Sequence, residues 1–524
     1  MKKVFLILAL MANGFCLANA QSETKMEAEE ATYENCELVD NDLYSGGKAL
    51  AMKENNSKIT FTYAAAEGGK YSIYVGYDGQ WGDKVVNISV NGNSSTFHTA
   101  VQGVGEAEIG TFKMNAGDNT IEITPSWTWY LIDYIRISAG TAEAIEFNVN
   151  PAPADANASE AAQKMYAFLC DNFGQKTISG MMTGDMGSAN GDITQHDDVK
   201  AVYEASGKYP ALVGFDFLFA TGRSEDQGWC KDYTNKAVAL AKDLYARGGI
   251  PAFTWHWHDP SRGTDDFYSD KCTVKIADAL NADGSWNTAS ELYQYIVKDI
   301  HTIADYFLQL QESGVACIFR PLHEASGGWF WWGRDKDAAA FIKLYQLVFD
   351  EMVNVKGVHN LIWVWNAGEN DSDWNPGEAY YDVVSADIYN QPGDYSSNYA
   401  TFDKLKSLTG GKKIVALSEN GPIPDIDKEI EDEAVWSWWM PWYQTWDGKY
   451  VNQTSQEEWA KCMGDDRVIT LEDLSAGWDA GTAIQSTKTS ESPDSQALYN
   501  LRGQRVKHAG KGLYIKDGKK IIIR

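Results

Sequence analysis

Residues 26–140 alternate apolar and polar positions in short runs broken by turn residues, as in "KYSIYVGYDG", "KVVNISVNGN", "NTIEITPS" and "YLIDYIRIS". A period of two predicts strands buried on one face, and many short ones in succession predict an all-β sandwich. The polar, Pro- and Ala-rich "NVNPAPADANAS" follows, so 141–158 reads as a linker. Over 159–465 the rhythm changes to helix-length periodic stretches alternating with short apolar runs, the pattern of βα units around a parallel sheet. Eight candidate strands can be named: "TISGMM", "ALVGFDF", "IPAFTWHWH", "VACIFRPLHE", "LIWVWNA", "VVSADIY", "IVALSEN" and "VWSWWMPW". The clearest helix precedes the fourth, with Leu292, Ile296, Ile300, Ile303, Phe307 and Leu310 at three- and four-residue steps and Gly314 as its stop.

Eight such units predict an α/β chain built on a (β/α)8 TIM barrel, whose functional rim lies at the strand C-termini. Residues 466–496 read as a second linker, and 497–524 as a small β-rich tail that is strongly basic, with Asp517-Gly518 as a hairpin turn.

Composition narrows the ligand. The net charge is −28, from 73 acidic and 45 basic residues, which repels nucleic acid and anionic membranes. Twenty tryptophans and 27 tyrosines exceed what a core needs and suit surfaces that grip partly apolar, partly polar ligands such as sugars. The opening "MKKVFLILALMANGFCLANA" has Lys2 and Lys3, an apolar run and Ala18-Asn19-Ala20, and residues 1–20 read as a secretory signal cleaved before Gln21. Its apolar run is too short to span a bilayer, so no membrane insertion is expected. Cys16 leaves with it; Cys36, Cys170, Cys230, Cys272, Cys317 and Cys462 remain, without C-x-x-C spacing, which argues against a zinc cluster and fixes no disulfide pairing.

Two carboxylates from different strands of one rim can flank a glycosidic bond, one as nucleophile and one as proton donor. Glu419 in "VALSENG" and Glu324 in "CIFRPLHE" both end apolar strands, where a buried charge usually has a task. Strand parity places Arg320, Leu322 and Glu324 on one face, with Arg320 either ordering the rim or forming a structural ion pair. His323 reads as a satisfied core histidine or a ligand contact. The pair His256 and His258 has metal-ligand spacing, but a metallohydrolase would need further ligands, for which only His323 and Asp387 offer themselves. The run Trp329 to Trp332 reads as a sugar-stacking wall in a loop, against a buried aromatic cluster.

"RPLHEASGGWFWWG", "WHWHDP", "DIY" and "ALSENG", in that order over about residues 155–460, resemble the family 26 glycoside hydrolases, chiefly secreted endo-β-1,4-mannanases. The resemblance implies a retaining mechanism without a catalytic cofactor, Glu324 as acid/base and Glu419 as nucleophile, with mannan, glucomannan or galactomannan as substrate. It also implies that Tyr389 hydrogen-bonds the nucleophile and keeps it ionised, that His256 and His323 contact the sugar, that Trp329 lies beside the acid/base, and that Trp442 forms the aromatic floor. The N-terminal module resembles family 35 carbohydrate-binding modules, in which Glu27, Glu29 and Asp133 match positions that often hold a structural calcium; they equally suit surface acids of an acidic protein. Trp127 and Trp129, two apart on one strand face, either stack on a glycan or pack. The tail resembles sorting domains on exported proteins of some Gram-negative bacteria, which implies an outer-surface or extracellular location. A monomer is expected. The alternatives are a same-fold hydrolase acting on mixed-linkage glucan or β-1,3-xylan, and a surface glycan-binding protein without activity.

Overall fold

The computed structural model describes residues 23–139, 145–187, 189–368, 371–443, 453–474, 512–516 and 519–523. The leader expected over 1–20 and the turn at Asp517-Gly518 lie outside them.

The N-terminal sandwich packs two antiparallel sheets face to face. One has the order Glu37–Asp40, Lys48–Met52, Tyr130–Ala139, Gly69–Asp78, Val104–Met114, with Glu23–Glu27 added on Tyr130–Ala139; the other has the order Thr32–Glu34, Lys58–Ala65, Gly117–Pro125, Val85–Val90, Asn93–His98. The alternation read from the sequence is the alternation of burial: in Val85–Val90 every second side chain, Val86, Ile88 and Val90, enters the core.

The second body is a closed parallel barrel. Its strands are β1 (Thr177–Met182), β2 (Leu212–Asp216), β3 (Ile250–Thr254), β4 (Cys317–Arg320), β5 (Leu361–Asn366), β6 (Val383–Ile388), β7 (Ile414–Asn420) and β8 (Trp438–Pro441). Each pairs with the next, and β1 closes the ring by pairing with both β8 and β2. Apart from the partly buried Asp387 and Ile388 at the end of β6, every residue of these strands is buried, because helices cover the outer face while side chains fill the interior. Ile178, Leu212, Ile250, Ile318, Ile362, Ile414 and Trp438 share the same buried cluster. The helix expected before β4 spans Glu291–Gln311: Ser290 caps it by accepting from the Tyr293 amide, its buried stripe runs through Ile296, Ile300, Ile303, Phe307 and Leu310, and Gly314 turns the chain at φ 71°.

A separate C-terminal unit contains an antiparallel hairpin of Gly512–Lys516 and Lys519–Ile523. All six cysteines from Cys36 to Cys462 are free thiols. Among the described residues no helix is long and apolar enough to cross a membrane.

Candidate active site

The strand C-termini bring four distant acids to one rim. Glu419 sits inside β7, 4% exposed, and is held from two sides: Arg320 Nη2 donates to its Oε1, and the Tyr389 hydroxyl donates to Oε2 at 2.7 Å. Arg320, at the end of β4, also donates from Nη1 to Asp387 Oδ2 at 2.8 Å. One guanidinium therefore braces two acids from neighbouring strands. One carboxylate oxygen from each of Glu324, Asp387 and Glu419 lies within 4.8 Å of the other two.

Glu324 is not on a strand. β4 stops at Arg320, Leu322 and Glu324 both take left-handed backbone at φ 53°, and Glu324 opens the short turn Ala325–Gly327. The parity that would put residues 320, 322 and 324 on one face thus fails beyond Arg320. Left-handed conformations at two non-glycine residues persist only where surroundings impose them. Here the Glu324 amide donates to Asn366 Oδ1 at 2.7 Å, at the tip of β5. Burial, reinforced by the negative charge of Glu419, pushes the Glu324 carboxyl up to about 7, against the pull of the Trp329 indole, which donates to Oε2 at 2.8 Å, and of Arg320 and His256. Burial likewise raises Asp387 well above the usual carboxylate range; Arg320 opposes the shift and the nearby charges of Glu419 and Glu324 add to it.

The histidines form a relay. Asp216, the last residue of β2, lies 2.5 Å from His256 Nδ1; burial alone would lower that imidazole, but the carboxylate outweighs it and the pKa is raised. His323 is driven well below its ordinary value by burial and by the Arg320 and His256 charges. His256 Nε2 and His323 Nε2 share a hydrogen bond across 3.2 Å, and His323 Nδ1 lies 3.3 Å from Thr254 Oγ1. With these nitrogens engaged by protein atoms, and His258 apart from them and stacked on Phe267 at 5.7 Å, the histidine metal set does not form.

The aromatic run divides. Trp329 alone is an open surface, 45% exposed, while Phe330, Trp331 and Trp332 are buried. The Trp331 indole donates to Trp257 O at 2.7 Å and the Trp332 indole to His323 O at 2.8 Å, so two of the expected wall residues are core struts under the site. Trp329 folds back over Gly327, where a Cβ would lie 2.1 Å from the ring. Of the tryptophans in "WSWWMPWY", Trp436, Trp438 and Trp439 are buried; Trp442 is half-buried, with its ring 5.8 Å from that of His256. Sequence reasoning missed Asp216 and Asn366, although an acid closing the apolar run "ALVGFDF" carries the same signal that exposed Glu419.

In the sandwich, Glu27, Glu29 and Asp133 lie around the turn at Ser45 and Gly46. Ser45 donates its amide to Asp133 Oδ2 at 3.1 Å and its hydroxyl to Glu27 Oε1 at 2.7 Å. Glu27 Oε2, Glu29 Oε2 and Asp133 Oδ1 are buried without a hydrogen-bond partner, and a Cβ on Gly46 would lie 2.7 Å from Glu29 Oε1. Burial lifts the Asp133 carboxyl to about 6. Carboxylate oxygens are the donors a hard cation takes, but these three do not come within 4.8 Å of one another as those of Glu324, Asp387 and Glu419 do, so an ion would have to draw them together. Trp127 and Trp129 lie in the loop between strands rather than on one, 58% and 48% exposed, and Trp129 takes φ 75°.

Comparison with known proteins agrees with this geometry. The family model for glycosyl hydrolase family 26 matches residues 154–470, and that for carbohydrate binding module family 35 matches residues 24–140. A mannan endo-1,4-beta-mannosidase B of Piromyces sp is 33% identical over 460 residues, 86% of this chain and 76% of that protein. The structure of a Podospora anserina GH26-CBM35 β-(1,4)-mannanase superposes with TM-score 0.56 at 28% identity, over 87% of this chain and 99% of that one. A β-mannanase from a symbiotic protist of the termite Reticulitermes speratus, complexed with gluco-manno-oligosaccharide, gives TM-score 0.56 at 38% identity, over 63% and 99% of the two chains. With its four-acid rim on a (β/α)8 barrel and more than half its length matched, this chain belongs to glycosyl hydrolase family 26 and is a glycoside hydrolase with an N-terminal family 35 carbohydrate-binding module.

Proposed function

We propose that the protein is an endo-β-1,4-mannanase that cuts mannan, glucomannan or galactomannan with retention of anomeric configuration. The observation that carries this is that Glu324 and Glu419 each bring a carboxylate oxygen within 4.8 Å of the other's, an approach that supports the roughly 5 to 5.5 Å carboxyl separation of retaining glycosidases over the about 6.5 to 9.5 Å that leaves room for an inverting water. In the first step the Glu324 carboxyl gives its proton to the glycosidic oxygen while Glu419 attacks the anomeric carbon; the carbon–oxygen bond breaks and a glycosyl ester of Glu419 forms. In the second, Glu324, now ionised, takes a proton from water as that water displaces Glu419. Arg320 and Tyr389 fix the Glu419 carboxylate, and the raised pKa of Glu324 keeps its proton available near neutrality. His256, Trp329 and Trp442 contact the sugars around the cut, while His323, expected to do so, is buried and backs His256 instead.

The test follows the anomer first released from linear mannan by NMR, beside barley glucan and xylan controls. The β-anomer from mannan, abolished in Glu419→Ala, is expected; the α-anomer, or preferential cleavage of a control, overturns the reading.

The proposal extends to the module and to location. Glu27, Glu29 and Asp133 hold a structural calcium, so a chelator should lower the first thermal transition and calcium should restore it; a transition indifferent to both removes the ion. Trp127 and Trp129 offer their faces to glycan. The apolar leader and the bulk of a polysaccharide, which no cell imports whole, support secretion to the outer surface or medium; finding the mature chain inside the cell would count against it.

A further inference from the structure

The sandwich does not hang free of the barrel. Asn93 Nδ2 donates to Asp432 Oδ2 at 2.9 Å, Ser94 Oγ to Asp394 Oδ2 at 2.6 Å, Ser396 Oγ to Gly92 O at 2.8 Å and Lys70 Nζ to Asp403 Oδ1 at 2.9 Å. Ala400, on the barrel helix Tyr399–Leu408, is buried within the core cluster of the sandwich. These contacts seat strands Val85–Val90 and Asn93–His98 beside the turn that follows β6.

Between the two bodies lies a partly open cavity of about 230 Å³. Asn87, Thr96 and Ser126 line it from the sandwich; Tyr389, Asn390 and Gln391 line it from the barrel. Asn87 and Thr96 are directly paired across their strands, on the face opposite the buried Ile88 and Phe97, and so turn toward the barrel. Tyr389 joins the cavity to the reaction centre, since its hydroxyl is 2.7 Å from Glu419. Apart from Asp387, which Arg320 already holds, the lining carries amides, hydroxyls and apolar groups with no charged side chain. Such a lining matches an uncharged, hydroxyl-rich ligand and disfavours an anion or a metal.

We propose that this cavity is a composite saccharide subsite, in which Asn87 and Thr96 of the sandwich bind an uncharged hexose residue of the same chain that is cut at Glu419. The inference rests on the hydrolase reading above. It makes the module a wall of the substrate track as well as a tether to polymer, so its effect reaches soluble oligosaccharides.

The experiment compares Asn87→Ala and Thr96→Val with wild type on two substrates, mannohexaose, long enough to reach the cavity, and an activated aryl mannobioside. Loss of one hydrogen bond to sugar should lower kcat/KM on the hexasaccharide about three- to tenfold and change its product pattern, with the aryl substrate within about twofold. Asn87→Trp, which fills the space, should act in the same direction and more strongly. Ser89→Ala, on the same strand face but outside the cavity, should change neither. Equal losses on both substrates mean a disturbed interface, no loss on either means a water-filled gap, and a loss confined to polymer means a tether alone; each overturns the inference. Wild-type protein that cleaves neither compound sinks the hydrolase reading itself, and this inference with it.

Discussion

Replacing Trp329 by phenylalanine isolates a single hydrogen bond at the proton donor. Phenylalanine keeps an aromatic face beside the cut but loses the indole N–H that donates to Glu324 Oε2 at 2.8 Å. A donor to a carboxylate stabilises the ionised form, so the indole holds the Glu324 pKa below the value that burial and Glu419 would otherwise set. Its removal must raise that pKa. A hydrogen bond to a charged group contributes about 1.5 to 3 kcal/mol. With Trp329 45% exposed, solvent replaces part of it, which leaves on the order of 1 kcal/mol. At about 1.4 kcal/mol per pKa unit the shift is about 0.7 unit. In the proposed mechanism Glu324 carries its proton in the first step, so wild-type activity should be present below about 7 and lost as pH rises through it. The variant's alkaline limb should therefore lie about 0.7 unit higher, whatever happens to its absolute rate. The assay is kcat/KM against pH on an unactivated manno-oligosaccharide, which reports the free protein's essential acid. A limb that stays in place or moves to lower pH refutes the reasoning, because the indole then has no hold on the acid.

Gly327→Ala should behave like Trp329→Phe with a larger rate loss, since its Cβ would stand 2.1 Å from the Trp329 ring and must displace it; an unchanged pH profile would show the ring is not fixed there. Glu324→Gln should be more stable than wild type at pH 9 by up to about 3 kcal/mol and no different at pH 4, read by denaturant titration. The sign follows from a folded pKa of about 7 above the ordinary 4.5: the contribution is fully present below 4.5 and is lost as pH rises through 7, so a stability gap that grows toward acid pH would contradict it. Arg320→Met leaves Asp387 and Glu419 without their shared cation and should cost about 3 to 5 kcal/mol at neutral pH. An unaltered melting temperature at pH 7 would show that the guanidinium does not brace them.

The barrel was legible because each strand is buried on both faces, so "TISGMM" and "IVALSEN" coincide with β1 and β7 as runs that no helix period explains. The helix Glu291–Gln311 was legible for the converse reason, a 3.6-residue stripe closed by a cap and a glycine. The rim was harder. "VACIFRPLHE" reads as one strand to Glu324, yet β4 ends at Arg320, and the Glu324 amide is instead tied to Asn366, which lies beyond any local window. The tryptophan run misled for a related reason. A loop position suggests exposure, but Trp331 and Trp332 each find a carbonyl for the indole N–H in the fold, at Trp257 and His323, and such partners are invisible in a neighbourhood of letters.

Buried charge at the end of an apolar strand marks Asp216 and Asp387 as well as Glu419, and each of them is paired with a basic side chain, His256 for the first and Arg320 for the other two. This pattern is common to the charge network and does not say which one reacts. Glu324 differs from all three: its strand has already ended, its side chain accepts from a neutral indole, and burial holds its proton near pH 7. A proton donor needs that combination, whereas a nucleophile needs the cation and the phenol that Glu419 has. The proposed division of labour between two chemically identical side chains therefore rests on their partners, Trp329 for one and Arg320 with Tyr389 for the other, and exchanging those partners should exchange the proposed roles before it alters the fold.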